Sequence, residues 1–477
     1  MTYSYTTGPV FKEGATTVRT LSNHLADEIS VLDFGVVGDG ITDDTAALNT
    51  ALTAAVSRNR SRVFVPPTVK MLINSGDILF PEGVSLIGSY DTMGEFVNGG
   101  STTARDYHNA GSSIILNSAY SLKLNDRNKL QNLLIISKPV YDLMPCTNLA
   151  GVATIVGAFA GKGVYAFAAY DIQIDRCMFL GFQYGIQSLN NGAATCERAR
   201  ITHCLFDCTN CVDWTWATDF AYFESLHAWN FVTSHIGGIT GPFRSGTAFR
   251  MGPRCDWPVM LNCSSYGWNR GFAADGAGAV MFIGCKSDNN GQNTGSIGFD
   301  ITDFTDGTGT YKPALTSLVG CKTAAHDTGL RINCTDTVMP TVNVTDWTSW
   351  GGSLIHIDLQ NGALLLNNAV IRHGTTGINI SATAVSAALT NVWFQGPMTT
   401  NVINSLGTAK VSQVNVFDKP TTKMTNSFPS LSTTALWNEG HMTLGSYHLW
   451  IDASGRLRIK SSAPTSDTDG TVVGTQT

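Results

Sequence analysis

Short runs of alternating apolar and polar residues recur along most of this chain, and glycine-containing turns separate them. From about residue 170 onward, an apolar residue is followed within three positions by an anchor residue; the anchors are Cys177, Cys204, Cys263, Cys285, Cys321, Asn368 and Asn391. Four steps between anchors measure 27, 22, 36 and 23 residues, and the gap of 59 residues from Cys204 to Cys263 fits two or three steps. A period in the low twenties, with insertions, is typical of one coil of a parallel β-helix. The pattern therefore predicts an all-β solenoid of stacked short strands over residues 31–405.

One amphipathic helix is predicted near the start of this solenoid, at about residues 43–56. It follows a glycine-rich turn at 38–40, and Thr42 or Asp43 can cap its N-terminus. Its apolar residues recur every four positions, at Leu48, Leu52 and Val56. A helix with one apolar face can cover the first open coil of a solenoid, so we expect a capping helix.

The two ends of the chain do not follow the repeat. Residues 1–30 are polar with scattered aromatic residues and are predicted to form an extended arm or a small adaptor. Residues 406–477 are predicted to be a linker followed by a small C-terminal β unit. The segment 448–460 alternates in polarity around a turn signal at 453–455, which indicates a hairpin.

Composition and charge limit the possible partners. Charged residues make up 14% of the chain, against about 25% in an average soluble domain, and the formal net charge is −6. Without a basic surplus, nucleic acid and anionic membranes are disfavoured as partners. The sequence has no apolar run of the 18 or more residues that a membrane span needs, and its N-terminus lacks the pattern of a secretion signal. We therefore expect the protein to fold in the cytoplasm where it is made.

Eleven cysteines raise the question of disulfides or a metal site. Cys204, Cys208 and Cys211 come closest to a zinc pattern, but a fourth ligand at a suitable spacing is missing. The anchor cysteines share one register, which instead predicts a buried ladder, because a free cysteine packs as a small apolar residue. We expect no metal ion and no cofactor, although a Ca²⁺ ion is conceivable if the protein were a lyase.

Candidate chemistry concentrates between residues 213 and 229. This segment mixes possible catalytic acids, Asp213, Asp219 and Glu224, with residues that suit sugar binding, namely Trp214, Trp216, Tyr222, His227 and Trp229. Glu197 is the other glutamate within residues 170–405, and a second possible binding group comprises Asp256, Trp257 and Trp268. Glycoside hydrolysis generally uses two carboxyl groups about 5–9.5 Å apart, a spacing that acids one or two rungs apart on a β-helix can meet. The alternative is that the aromatic residues are core or subunit-contact residues and Glu224 is a solvated outward side chain.

The stretch from Asp33 to Thr45 reads D-F-G-V-V-G-D-G-I-T-D-D-T and resembles the opening signature of the pectate-lyase-like β-helix superfamily. The resemblance implies a right-handed parallel β-helix, and it concerns the first turn and the cap rather than an active site. The preceding segment 17–30 resembles what bacteriophage tailspikes and capsule depolymerases carry before this signature. Together they imply a homotrimeric phage tailspike that binds and cleaves bacterial surface polysaccharide. A polygalacturonase is disfavoured, since the Arg-x-Lys element from Arg458 to Lys460 lies in the C-terminal unit, too late in the chain for the catalytic role it has in that branch.

From this resemblance we expect a capsule or O-antigen depolymerase in the virion tail, made in the host cytoplasm and acting outside the cell. The leading hypothesis is endo-glycosidic hydrolysis with Glu224 as general acid and Asp219, Asp213 or an acid on an adjacent rung as base or nucleophile. The alternatives are a lyase that uses His227 or Tyr222 with an arginine such as Arg250, and a binding-only adhesin. The expected partners are the polysaccharide, two further copies of the chain, and another tail protein bound by the N-terminal arm.

Overall fold

In the computed structural model, the chain winds into a right-handed parallel β-helix with three sheets, as the repeat and the signature predicted. The structure describes residues 9–10, 19–20, 29–90, 106–189, 196–233, 243–289, 294–306, 309–335, 341–406, 410–419, 442–444, 447–452, 454–466 and 468–473. Along most of the solenoid, each strand pairs in parallel with the third strand further along the chain, because one coil contributes one strand to each sheet.

The first sheet contains the strands Ile29–Ser30, Arg62–Phe64, Ser85–Ile87, Lys129–Gln131, Gln173–Asp175, Arg200–Thr202, Ala221–Glu224, Pro258–Leu261, Ala279–Ile283, Leu315–Val319 and Thr341–Thr345. The second contains Asp39–Asp43, Lys70–Ile73, Ser113–Leu116, Leu134–Ser137, Met178–Leu180, Leu205–Asp207, His227–Ala228, Ser264–Tyr266, Lys286–Asp288, Lys322–Ala324 and Thr348–Trp350. The third contains Ile78–Leu79, Leu122–Leu124, Lys162–Phe167, Tyr184–Leu189, Asn210–Trp214, Arg244–Met251, Trp268–Asp275, Ile297–Thr302 and Thr328–Asn333. The solenoid then continues in three long strands that bend around its corners, Ser353–Ile380, Ala384–Ser405 and Lys410–Lys419, so parallel pairing extends beyond residue 405.

A helix from Thr45 to Ser57 packs against the first coils, in the place expected for the cap. Its N-cap residue is Asp44 rather than Thr42 or Asp43, and the Asp44 carboxylate accepts hydrogen bonds from the backbone of Val37 and Gly38 instead of capping the helix. The buried stripe consists of Leu48, Ala51, Leu52 and Ala55. Val56, expected in that stripe, is 53% exposed, because the helix turns this position away from the first coil.

The signature residues shape the turn before the helix. Asp39 accepts hydrogen bonds from the backbone N–H groups of Ile41 and Thr42, at 2.8 and 2.7 Å, and from the Thr42 hydroxyl at 2.9 Å. These backbone and side-chain hydrogen bonds lower the pKa of Asp39 below its ordinary value. The role of the signature is thus structural.

The anchor cysteines form the buried ladder that their register predicted. Each of the five is fully buried at the start of a second-sheet strand, and in all of them the preceding residue turns the corner between the first and second sheets. That preceding residue has a positive φ in all five coils, at 50°, 54°, 52°, 63° and 64° in chain order. Leu226, which follows Ser225 at φ 54°, occupies the same position in the gap between Cys204 and Cys263, so the gap holds two steps. All eleven cysteines are free and buried, including Cys208 and Cys211 of the zinc-like pattern.

Two insertions cover parts of the outer surface. The helices Lys138–Leu143 and Leu149–Gly157 belong to a second apolar cluster on the outer face of the second sheet. The antiparallel hairpin Phe304–Asp306 and Gly309–Tyr311 lies in the insertion after the third-sheet strand Ile297–Thr302. No helix in the described part of the chain is both long and apolar enough to cross a membrane.

Short antiparallel strands lie outside the solenoid. Pro9–Val10 pairs with Arg19–Thr20, while most of the predicted N-terminal arm lies outside the described residues. Near the C-terminus, Met442–Leu444, Tyr447–Ile451, Leu457–Lys460 and Thr471–Val472 form a four-stranded antiparallel sheet. Its central hairpin is the one predicted from the segment 448–460.

Candidate functional site

The segment 213–229, which is compact in sequence, is spread around a whole coil. Asp213 lies on the third sheet, Glu224 on the first and His227 on the second, so their side chains occupy three different faces. Because one coil contributes a strand to each sheet, residues that are close in sequence are separated, while residues one coil apart become neighbours.

Asp213 belongs to a charged ladder on the third sheet. Arg250 donates to Asp213 at 2.8 Å and to Asp275 at 2.7 Å. Arg270 continues the ladder by contacting both Asp275 and Asp300. The Asp300 carboxylate also accepts hydrogen bonds from Nε and Nη2 of Arg331. Asp213 is 7% exposed and its second oxygen accepts from Gln187 at 3.1 Å. A carboxylate occupied in this way organises the sheet and is poorly placed to act as a base or nucleophile.

Two of the aromatic residues proposed for sugar binding are core residues. Trp214 and Trp268 are both fully buried. The ring of Trp214 packs edge-on against Phe223 at 5.8 Å, and the indole N–H of Trp268 donates to the carbonyl of Cys208 at 3.1 Å. Both side chains point into the solenoid, so neither is exposed to contact a sugar.

His227 and Trp229 lie on the second sheet, at the edge of the helical insertion. Their rings stack at 6.4 Å, and both contact Phe231. Burial lowers the pKa of His227 to about 4. This neutral, enclosed imidazole is remote from Tyr222 on the first sheet and from Arg250 on the third, so the three residues do not converge on one sugar.

Glu224 and Tyr222 point outward from the first sheet. Burial and then the hydrogen bond with Glu224 raise the pKa of Tyr222 above its ordinary value. Along the row of side chains that contains Glu224, Thr202 lies one rung away and Asp175 two rungs away. Burial favours the protonated form of Asp175, but hydrogen bonds from Thr202 and His203 outweigh it and lower the pKa of Asp175. This acid pair sits on an open sheet face.

A concave site lies instead at the corner between the third and first sheets. Its cavity of about 460 Å³ is lined by Thr218, Arg254, Cys255, Asp256, Gly276, Gly278, Thr310, Tyr311 and Lys312. We call this cavity, with the neighbouring side chains of Glu197, Asp219, Trp216 and Trp257, the corner groove. It unites five of the residues that the sequence suggested, including acids from three successive coils.

Glu197 and Asp219 face one another across Arg198. The Nη1 atom of Arg198 lies 3.6 Å from Oε2 of Glu197 and 3.7 Å from Oδ2 of Asp219, so one guanidinium bridges the two carboxylates. The Thr218 hydroxyl donates to Glu197 at 2.5 Å. The Glu197 side chain is 17% exposed and that of Asp219 is 54% exposed, so Asp219 is the more accessible of the two.

Arg254 is held between two aromatic rings on the wall of the corner groove. Its guanidinium carbon lies 4.3 Å from the ring centre of Trp216 and 5.5 Å from that of Tyr311. Tyr311 comes from the inserted hairpin Phe304–Asp306 and Gly309–Tyr311. Gly276 lets Tyr311 approach, since a Cβ atom at this glycine would lie 2.8 Å from Cβ of Tyr311. A fixed guanidinium beside aromatic faces can bind the hydroxyl or carboxylate groups of a sugar.

Asp256 supplies a carboxylate inside the cavity. Its backbone N–H donates to the carbonyl of Ala217 at 2.6 Å, which places it one coil beyond Thr218 and Asp219. Gly278 makes room for the Asp256 side chain, because a Cβ atom at this glycine would lie 2.7 Å from Oδ1 of Asp256. Trp257, beside it, is 66% exposed and offers a free aromatic face at the rim.

Several residues of these sites escaped the sequence analysis. Arg198, Thr218 and Lys312 have no motif around them, and Asp175 lies two coils from the glutamate it accompanies. The one feature of the sequence that pointed to Arg198 was its position directly after Glu197. Within the described ranges, no group of three or more His, Cys, Asp and Glu residues is arranged to hold a metal ion.

Two family models match parts of this chain. Residues 28–154 match the model described as rhamnogalacturonase A/epimerase, pectate lyase-like, and residues 353–475 match the model described as capsule depolymerase. No curated protein matches the chain significantly.

Solved structures with the same fold include glycan-degrading enzymes and a phage tailspike. The catalytic unit of a GH87 α-1,3-glucanase from Streptomyces thermodiastaticus is 16% identical, with 82% of this chain and 68% of that one covered and a TM-score of 0.54. A mutant tailspike protein of Escherichia coli bacteriophage HK620 is 12% identical, with 83% of this chain and 70% of that one covered and a TM-score of 0.56. At such identities the likeness concerns the fold. The chain is thus a right-handed parallel β-helix with a segment similar to pectate-lyase-like proteins near its N-terminus and a segment similar to capsule depolymerases toward its C-terminus.

Proposed function

We propose that this protein is a phage tailspike that hydrolyses bacterial capsule or O-antigen polysaccharide within the chain, and that the corner groove is its active site. The observation that carries the proposal is that Asp256 and an aromatic-clamped arginine line one cavity, with acids from the two preceding coils, Glu197 and Asp219, beside it. The capsule depolymerase match supports polysaccharide as the substrate class. A virion-tail location follows from the proposal as the place where such an enzyme meets its substrate.

Asp256 and Asp219 are the proposed pair of reacting carboxyls. They are separated by one rung of about 4.8 Å and by at most one residue of about 3.3 Å along the strand direction, which puts their Cα atoms roughly 5–6 Å apart. Because the chain turns a corner here, the two carboxyl groups can lie farther apart than the Cα atoms. A separation of about 6.5–9.5 Å between carboxyls leaves room for the attacking water of an inverting glycosidase. Asp256, within the cavity, acts as general acid, and the more exposed Asp219 activates the water. Glu197 and Arg198 hold Asp219 in place, and Trp257 stacks on a sugar ring.

This assignment moves the general acid from Glu224 to Asp256. Glu224 lies on an open sheet face, whereas Asp256 lines a concave cavity beside Arg254. The competing acid pair, Glu224 with Asp175, remains testable in the same experiment. A lyase built on His227, Tyr222 and Arg250 is not supported, because these side chains lie on three faces of the coil.

The proposed quaternary structure is a homotrimer that contacts itself through the first sheet. Its outer face carries exposed apolar side chains on neighbouring coils: Met281, Leu315, Val319 and Leu365 are 39–47% exposed. Such a strip favours protein contact over free exposure to water. The native mass, measured by light scattering after size exclusion, should be three times that of one chain. We propose that the N-terminal arm binds another tail protein; its residues lie mainly outside the described ones.

The test of the catalytic assignment measures new reducing ends released from host polysaccharide by the full chain and by single variants. Asp256→Asn and Asp219→Asn should each lower kcat/KM by about 10²–10⁴-fold, the range for loss of an acid or base. Glu224→Gln and Asp175→Asn serve as matched controls and should change it less than tenfold. NMR of the first product should show inversion at the anomeric carbon.

Three results would contradict parts of the proposal. If Glu224→Gln abolishes cleavage while Asp256→Asn retains it, the site lies on the first sheet. An unsaturated, ultraviolet-absorbing product would identify a lyase. Binding of the polysaccharide without any release of ends by the wild type would identify an adhesin.

A further inference from the structure

A second cavity lies on the third sheet, near the N-terminal end of the solenoid. It measures about 280 Å³ and is lined by, among others, Asp77, Tyr120, Ser121, Lys123, Lys162 and Tyr165. Its strands, Leu122–Leu124 and Lys162–Phe167, precede the coils of the corner groove, and it shares no lining residue with that groove. Its volume is close to the lower end of the ~300–1,000 Å³ of small-ligand pockets, which suits one small unit such as a single sugar ring.

The charges in this cavity do not cancel. Lys123 pairs with Asp77 at 2.7 Å, and Asp77 is held further by the backbone N–H of Ser121 at 2.8 Å. Lys162 supplies a second ammonium group, and among the described residues no carboxylate lies within ion-pair distance of it. The cavity therefore carries one positive charge in excess, on a chain whose formal net charge is −6.

Lys162 is also held in position. Its ammonium lies 4.7 Å above the ring centre of Tyr165, and Tyr165 stacks with Phe167 at 6.1 Å. A cation–π contact fixes the ammonium without neutralising its charge. The half-buried Tyr165 ring and the exposed Phe167 ring offer apolar faces beside this charge. The combination matches a ring with C–H faces and one anionic substituent.

We propose that this cavity is a second carbohydrate-binding site, remote from the corner groove, that accepts a sugar bearing an anionic substituent. Lys162 contacts the anion, Tyr165 packs against the ring, and the pair of Lys123 and Asp77 binds hydroxyl groups. The inference rests on the proposed function only in taking the ligand to be a sugar. It adds that the natural polysaccharide is acidic.

The test measures binding of small probes to the full chain by ligand-observed NMR. The probes are methyl β-D-glucuronide, glucose 6-phosphate and the neutral methyl β-D-glucoside. One of the two anionic probes, or both, should bind at millimolar concentration, and the neutral glucoside at least fivefold more weakly. The stronger anionic probe identifies carboxylate or phosphate as the preferred group. Binding should weaken with added salt, because exposed charges are screened.

Variants locate the site. Lys162→Gln and Tyr165→Leu should each weaken binding of the anionic probe at least fivefold, Lys162→Arg should retain it, and Lys286→Gln, at an exposed lysine on the second sheet, should leave it unchanged. Asp256→Asn, which removes the proposed general acid, should bind the probe like the wild type, so this result is independent of whether the corner groove is catalytic. Equal binding of neutral and anionic probes, or unchanged binding by Lys162→Gln, would overturn the inference.

Discussion

The interior of the solenoid holds histidines that should make the protein sensitive to acid. His326 is 1% exposed, and its Nε2 atom is hydrogen-bonded to the hydroxyl of Ser287 at 2.8 Å. Burial lowers the pKa of His326 from 6.5 to about 3. His356 is also buried in the interior, whereas His227 is partly buried on the outer face of the second sheet; burial lowers the pKa of each to about 4. All three are neutral in the folded protein at pH 7.

The direction of the effect follows from proton binding. Between pH 6.5 and the lowered pKa, the unfolded chain binds a proton at each of these histidines and the folded chain does not. The free energy of unfolding is therefore fully retained above pH 6.5 and decreases as the pH falls through this window. At pH 5, about 1.5 units below 6.5 and at about 1.4 kcal/mol per unit, His326 alone should lower it by about 2 kcal/mol.

Urea unfolding at pH 7.5 and at pH 5.0 measures this difference. In His326→Gln, the loss of stability between the two pH values should be smaller than in the wild type by about 2 kcal/mol. His203→Gln, at a side chain that is 44% exposed, is the control for removing a histidine and should retain the wild-type loss. The reasoning is refuted if His326→Gln shows the full wild-type dependence on pH while remaining folded at pH 7.5.

Three further predictions concern packing and the groove. Asp207→Asn should lower the free energy of unfolding by about 3–5 kcal/mol in urea titrations, because it leaves the fully buried Arg244, which donates to both Asp207 oxygens at 2.8 and 2.9 Å, without its counter-charge. Asp171→Asn is the matched control and should cost clearly less, because Asp171 makes the same two-bond contact with Arg198, at 2.8 and 3.0 Å, where both side chains are 44% exposed. Phe272→Ala should cost about 3–5 kcal/mol by the same measurement, since Phe272 stacks between Phe249 and Phe299 at 5.3 and 4.7 Å, whereas Trp393→Ala, at a residue 50% exposed, should cost much less. Gly278→Val should lower polysaccharide cleavage by about 100-fold, because the added side chain displaces the Asp256 carboxylate. Gly309→Ala is the control and should leave cleavage unchanged, since no atom lies within 4 Å of the added Cβ. Equal effects of the two glycine variants would argue against a catalytic role for Asp256.

The local sequence pattern predicted much of the fold. The register of the anchor cysteines predicted both the coil spacing and the buried ladder, because each coil must turn the same corner and place a small side chain inside. The cysteine pattern did not identify the coil that contains Leu226, because a leucine fills the same interior position there. The capping helix was expected within two residues of its observed bounds, but its buried stripe includes Ala51 and Ala55 and leaves Val56 outside.

The residues of the candidate site were predicted only in part from the sequence. The segment 213–229 was rich in acids and aromatic residues, yet these residues serve different roles: Trp214 is core, Asp213 belongs to an ion-pair ladder, and His227 lies beneath the helical insertion. A sequence window cannot separate inward from outward aromatic residues at corners, where the alternation of strand residues is interrupted. Of the second predicted group, Asp256 lines the cavity and Trp257 is exposed beside it, whereas Trp268 is buried in the core.

By itself, the sequence determined that this chain is a right-handed β-helix with a capped N-terminal end, because repeat period, glycine turns and the Asp33–Thr45 signature are local properties of the chain. Which residues share a surface was decided only by the tertiary structure. Because the rungs stack at about 4.8 Å, residues one coil apart become neighbours, whereas residues within one coil lie on different sheets. For that reason the corner groove brings together Glu197, Asp219 and Asp256. The side chain of Glu224, only five residues after Asp219, instead points outward from the first sheet.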